Sequence, residues 1–74
     1  MERTVSRLTD ARVRAHWTLL ELAAEAGVSL DTIKRAEKGQ SVGLLSRQKI
    51  VDALGRKLGV SLQRADFWPE EVAS

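Results

Sequence analysis

Apolar residues recur every three or four positions along this chain, and nowhere do they alternate with polar ones as a half-buried strand requires. The spacing predicts a first helix from about Val5 to His16, with Val5, Leu8, Ala11 and Ala15 on its inner face. A second covers about Leu19 to Ala26, with Leu22, Ala23 and Ala26 inward, and a third about Leu30 to Lys38, with Ile33, Ala36 and Glu37 inward. A fourth runs from Arg47 to about Leu58 and buries Ile50, Leu54 and Leu58; a last short turn or helix begins near Ser61 and carries Phe67 and Trp68. The expected fold is all-α, a compact bundle of about five short helices forming one domain over residues 1–74. Residues from about 61 to 74 form a tail suited to dimerisation or partner contact.

Three helix starts carry the same local signals. In "WTLLEL", Thr18 is placed to cap the backbone while Glu21 reaches back, a capping box, and Trp17 and Leu22 stand where a hydrophobic staple closes. In "VSLDTI", Ser29 is the cap and Val28 pairs with Ile33; in "LSRQKI", Ser46 is the cap and Leu45 pairs with Ile50. Between the second and third helices only Gly27 and Val28 intervene before the cap. So short a turn makes the helices cross closely, which demands small residues at the crossing, and Ala23 and Ala24 supply them. Gly27 can take the positive φ that ends the second helix. This is helix-turn-helix geometry.

Composition narrows the function classes. Seventy-four residues hold a core near the lower limit for independent folding. With no cysteine and one histidine, His16, neither disulfides nor a Cys/His zinc site can add stability, so helix packing and oligomerisation remain. His16 reads as a helix-end residue. No Ser/His/Asp set, glycine-rich phosphate loop or close carboxylate pair is present, and a chain this short could hardly enclose a substrate pocket; the expectation is a non-enzyme without cofactor or metal. No apolar run approaches membrane-spanning length, and the N-terminus has no signal-peptide core, which together with the lack of cysteine points to the cytoplasm. The formal net charge is only +2, but Lys34, Arg35, Lys38, Arg47, Lys49, Arg56 and Lys57 cluster against Glu37 and Asp52, while Asp66, Glu70 and Glu71 make the end acidic. A basic segment on a small domain is the footprint of a polyanion binder.

The segment "TLLELAAEAGVSLDTIKRAEKG" resembles the helix-turn-helix of the Cro/C1-type phage repressors, the lambda repressor-like group of bacterial regulators. The resemblance runs from about Val5 to Leu62 and rests on Ala23, Gly27, Ile33 and the closing "EKG" at Glu37 to Gly39. It implies an ion pair between Arg12 on the first helix and Glu37, which suits a carboxylate that points inward and needs a partner. It also implies that the third helix lies in the major groove of double-stranded DNA, with Leu30, Asp31, Lys34 and Arg35 as base readers. Arg35 would make a bidentate contact to guanine, Asp31 would accept from cytosine, and Leu30 would pack on a thymine methyl. Asp31 in the first turn equally suits the helix dipole. Ser29, Thr32, Lys38, Gln40, Ser41, Arg47 and Lys49 are the expected backbone contacts, the last two because cations beside the unpaired N–H groups of the fourth helix form a phosphate cradle.

Two features depart from the family pattern. Leu19 stands where the family commonly has a glutamine that clamps the DNA backbone, and the loop "GQSVGLLS" lacks basic residues. Both imply modest affinity per subunit and a need for a second subunit or a protein partner. A homodimer on a palindromic operator is the expectation, with Leu44, Leu45, Val60, Leu62, Phe67 and Trp68 as the candidate interface. The function that follows is transcriptional regulation, as a repressor that acts by occupying its site. The alternative is a helical protein-interaction module or antitoxin-like partner that keeps the fold with weak DNA binding or none; Leu19, Leu30 and Asp31 favour it.

Overall fold

The computed structural model describes residues 7–73, in the order α1 (Arg7–Arg14), α2 (Leu19–Ala26), α3 (Leu30–Glu37), α4 (Leu44–Leu58), a 3-10 turn at Arg64–Asp66, and a short α5 (Glu70–Ala73). No strand occurs among the described residues, so the all-α reading holds. Val5, expected on the inner face of the first helix, lies outside the described residues. The helix stops at Arg14, two residues before the expected end. His16 takes a left-handed conformation (φ 60°) while its N–H donates to the Val13 carbonyl and the Trp17 N–H to the Arg12 carbonyl.

Local chemistry sets the next two starts as expected. The Thr18 hydroxyl accepts from the Glu21 N–H at 3.1 Å, and the Thr18 N–H donates to Glu21 Oε1 at 2.8 Å, which closes the capping box. Gly27 ends α2 at φ 74°, its N–H donating to the Ala23 carbonyl. Ser29 caps α3 by accepting from the Thr32 N–H at 3.1 Å.

The start of α4 is a correction. The helix begins at Leu44, three residues before the expected Arg47, with Gly43 rather than Ser46 as N-cap. Gly43 has no side chain to cap with, so nothing local in the sequence marked the boundary, and the Ser46-based staple does not form the start. Leu44 and Leu45 stand exposed on the first turn, Leu45 at 70%.

The core is built where α2 packs against α3 and α4, with α1 closing over α3 and α4. Leu22, Ile33, Ile50, Val51 and Leu54 are fully buried, joined by Leu8, Ala11, Ala15, Ala23, Ala26, Ala36, Ala53 and Trp68. Because α4 is covered on more than one side, it buries Val51 and Ala53 as well as the expected Ile50 and Leu54, while Leu58 is half-buried. Ala23, expected at the crossing with α3, is buried, but Ala24, also expected there, is exposed. Trp17 and Val28 pack on the core from its edge. Leu19 does the same, so the leucine at the expected clamp position turns inward; the exposed one is Leu20, at 65%. No helix among the described residues is long and apolar enough to cross a membrane.

Candidate nucleic-acid interface

Helix α3 is amphipathic in a way that decides what it offers to solvent. Ile33 and Ala36 are buried, so Asp31, Lys34, Arg35 and Lys38 are forced to the opposite side, where all four are exposed; Leu30 and Thr32 lie half-buried at its start. Arg35 Nη1 lies 3.5 Å from Asp31 Oδ2, a pair between two exposed side chains that costs little to open. The hydroxyls of Ser29 and Thr32 are 2.8 Å apart, so both expected backbone contacts at this end are tied into the cap.

A half-buried ion pair fixes the far end of the helix. Arg12 Nε donates to Glu37 Oε2 at 2.6 Å and its Nη2 to Oε1 at 3.3 Å; the side chains are 17% and 10% exposed. Thr9 Oγ1 adds a hydrogen bond to Glu37 Oε1 at 2.8 Å, and Arg12 Nη1 donates to the Trp17 carbonyl at 2.9 Å. One guanidinium therefore joins α1, the α1–α2 connection and the end of α3, which sets the angle at which α3 presents its outer face. Thr9 was missed by sequence reasoning, although it lies one turn before Arg12 on the same helix face.

Beyond α3 the chain turns through Gly39 (φ 80°), and the Gln40 N–H donates back to the Arg35 carbonyl at 2.9 Å. Gln40 and Ser41 are exposed and Val42 packs on the core. Thr32, Arg35, Ser41, Val42, Gly43 and Ser46 line one shallow groove, which brings the expected guanine reader beside the start of α4. The first turn of a helix leaves its N–H groups without intrahelical partners, and Gly43 supplies no side-chain cap, so this end of α4 suits a phosphate oxygen. Gly43 and Ser46 were not among the expected contacts. Lys49 stands exposed one turn further along α4.

Arg47 departs from the expectation. Its side chain is only 15% exposed, its Nε donates to the Val42 carbonyl at 3.2 Å, and its Nη1 donates to Glu71 Oε2 at 2.8 Å. The acidic tail 24 residues away has claimed the cation that sequence reasoning assigned to phosphate. Two hydrogen bonds, from Arg64 first and then from Arg47, hold the Glu71 carboxyl below its ordinary value.

The expected interface residues do not form one surface. Trp68 is buried, 5.2 Å from the Arg47 guanidinium, and meets Phe67 edge to face. Leu44 and Leu45 lie at one end of α4 and Val60 just past the other, about 20 Å away at the helical rise. Leu58, Val60, Leu62 and Phe67 form the apolar floor of an open groove against Ala11, rimmed by Arg7, Arg14, Asp10 and Asp66.

Neither the curated proteins nor the solved structures compared with the chain gave a match. The family model described as helix-turn-helix matches residues 8–64, from α1 through the start of the 3-10 turn. The matched span contains α2, the Gly27 turn and α3 with its buried Ile33 and Glu37, the same residues that carry the geometry. This chain belongs to the Cro/C1-type helix-turn-helix family of DNA-binding regulators, with the lambda repressor-like fold.

Proposed function

We propose that the chain is a sequence-specific regulator that binds double-stranded DNA with α3 in the major groove and represses transcription by occupying its operator as a homodimer. The observation that carries this reading is the exposed set Asp31, Lys34, Arg35 and Lys38, presented by a helix that is locked at its end by Arg12 and bordered by the uncapped start of α4. Arg35 reads guanine, Asp31 accepts from cytosine and Leu30 meets a thymine methyl, while Ser29, Thr32, Lys38, Gln40, Ser41 and Lys49 hold the backbone. The second copy docks on the groove floored by Leu58, Val60, Leu62 and Phe67. Its rim carries Arg7, Asp66 and the Arg14–Asp10 pair, a mixed-charge border round an apolar floor of the kind found at protein interfaces.

Replacement of Arg35 by alanine tests the assignment. Affinity for the best duplex falls by about 1–3 kcal/mol and preference at one base position is lost. Lys49→Ala instead weakens all duplexes alike and lowers the salt slope by about 0.9. Unchanged binding in both variants would remove the assignment. A protein-interaction module is the rival, favoured by the exposed Leu44 and Leu45. Its affinity would rest on apolar area and would respond weakly to salt.

A further inference from the structure

Arg47 stands on the first turns of α4, the element set against phosphate in the reading above, yet its guanidinium is directed into the protein. Nε holds the Val42 carbonyl, Nη1 holds Glu71 and lies 3.6 Å from Glu70 Oε2, and the Trp68 ring lies 5.2 Å away. Glu71 also accepts from Arg64 Nε at 2.8 Å, and Arg64 Nη1 donates to Gln48 Oε1 at 2.6 Å. The Arg47 side chain therefore ties α4 to the loop before it and to α5, and the 3-10 turn joins through Arg64, which holds the same Glu71 carboxylate.

We propose that Arg47 is a positioning residue for DNA binding, one that transmits the packing of residues 64–71 to the loop 40–43 rather than touching phosphate itself. The inference rests on the DNA-binding reading above. Its physical basis is the Val42 carbonyl. That oxygen and the Gly43 N–H belong to one planar peptide unit and point opposite ways, so fixing the carbonyl fixes the N–H and the entry into α4. Ser41 and Gly43 line the groove beside Arg35, so a turn of this peptide displaces them relative to the reading helix. A guanidinium spreads its donors over separate nitrogens in one plane, so Nε can hold the Val42 carbonyl while Nη1 holds Glu71; a lysine gathers its three donors on one nitrogen at the end of a flexible stem.

Arg47→Lys and Glu71→Gln test the proposal, with duplex affinity measured over a salt series well below the melting temperature, and amide hydrogen exchange followed at residues 41–44. The expected result is a loss of about tenfold for every duplex alike in both variants, the size of one charge-assisted hydrogen bond. The salt slope stays at the wild-type value, and exchange at residues 41–44 is faster. Were Arg47 a phosphate contact, Arg47→Lys would bind like wild type, Glu71→Gln would free the guanidinium and tighten binding, and Arg47→Ala would reduce the slope by about 0.9. Any of these overturns the proposal. So does a lowered melting temperature with unchanged affinity and unchanged exchange at 41–44, the signature of a purely structural network. Failure of the DNA-binding reading is distinguishable, because the wild-type protein itself would then show no salt-dependent affinity for any duplex. The exchange rates would still decide whether the brace exists.

Discussion

Glu37 shows how much one inward carboxylate can organise. It accepts from Thr9 and Arg12, both on α1, so α3 cannot roll or slide without breaking charge-assisted bonds that are partly shielded from solvent. Removing one partner leaves the other charge largely shielded from water and without its counter-ion. Glu37→Ala is therefore expected to cost about 3 kcal/mol, a large fraction of what a domain of this size holds, while replacing both Arg12 and Glu37 by apolar residues of similar volume recovers most of the loss in a urea titration. A single variant within 0.5 kcal/mol of wild type, a margin typical of surface changes, would show that the pair is solvated in solution. The sequence contained part of this cluster. An acidic residue on the inner face of α3 announces a need for a partner, but its identity as Arg12 came through family resemblance, since the two lie 25 positions apart. Arg47 escaped for the same reason in reverse. Its nearest visible context, an uncompensated basic helix start, argued for phosphate, and the residue that holds it, Glu71, is 24 positions away.

At the scale of elements, legibility followed the range of the interactions. The starts of α2 and α3 are written in four consecutive residues each, because a cap and the N–H it accepts from are local, and the structure closes both caps. The start of α4 was not written in that way. Gly43 accepts the N-cap role through its backbone alone (φ −64°, ψ 155°), and Ser46, the residue with a cap's chemistry, lies inside the helix. That bare N-terminus has a testable consequence. A Cβ at Gly43 meets nothing within 4 Å, so Gly43→Asp can be accommodated and supplies the missing cap. Thermal melting should show stability raised by a few tenths of a kcal/mol. DNA affinity should fall several-fold, because a carboxylate now occupies the N–H groups that suit a phosphate. Stabilisation without any loss of DNA affinity would place the phosphate contact elsewhere.

On the scale of the whole molecule, one charge-bearing tail is folded back onto the domain it follows. Glu71 is held below its ordinary carboxylate value by Arg64 and Arg47, and a group whose folded value is depressed contributes stability above its unfolded value that disappears as pH falls through the folded one. The melting temperature of wild type should therefore exceed that of Glu71→Gln near neutrality, and the gap should close in acid below the ordinary carboxylate range. A gap that persisted or widened in acid would contradict the tail's attachment through this pair. The helices, caps and reading face together make a small scaffold that holds one row of side chains toward a groove, and the use of that row is the central claim. Selection from a random duplex library at near-physiological salt, with titration of the best site, measures it most directly. The account predicts enrichment of a pseudo-palindrome whose half-sites lie about one helical turn, 34–36 Å, apart, with an affinity that falls steeply as salt is raised. No enrichment even at low salt would contradict it and leave a protein surface as the partner of α3.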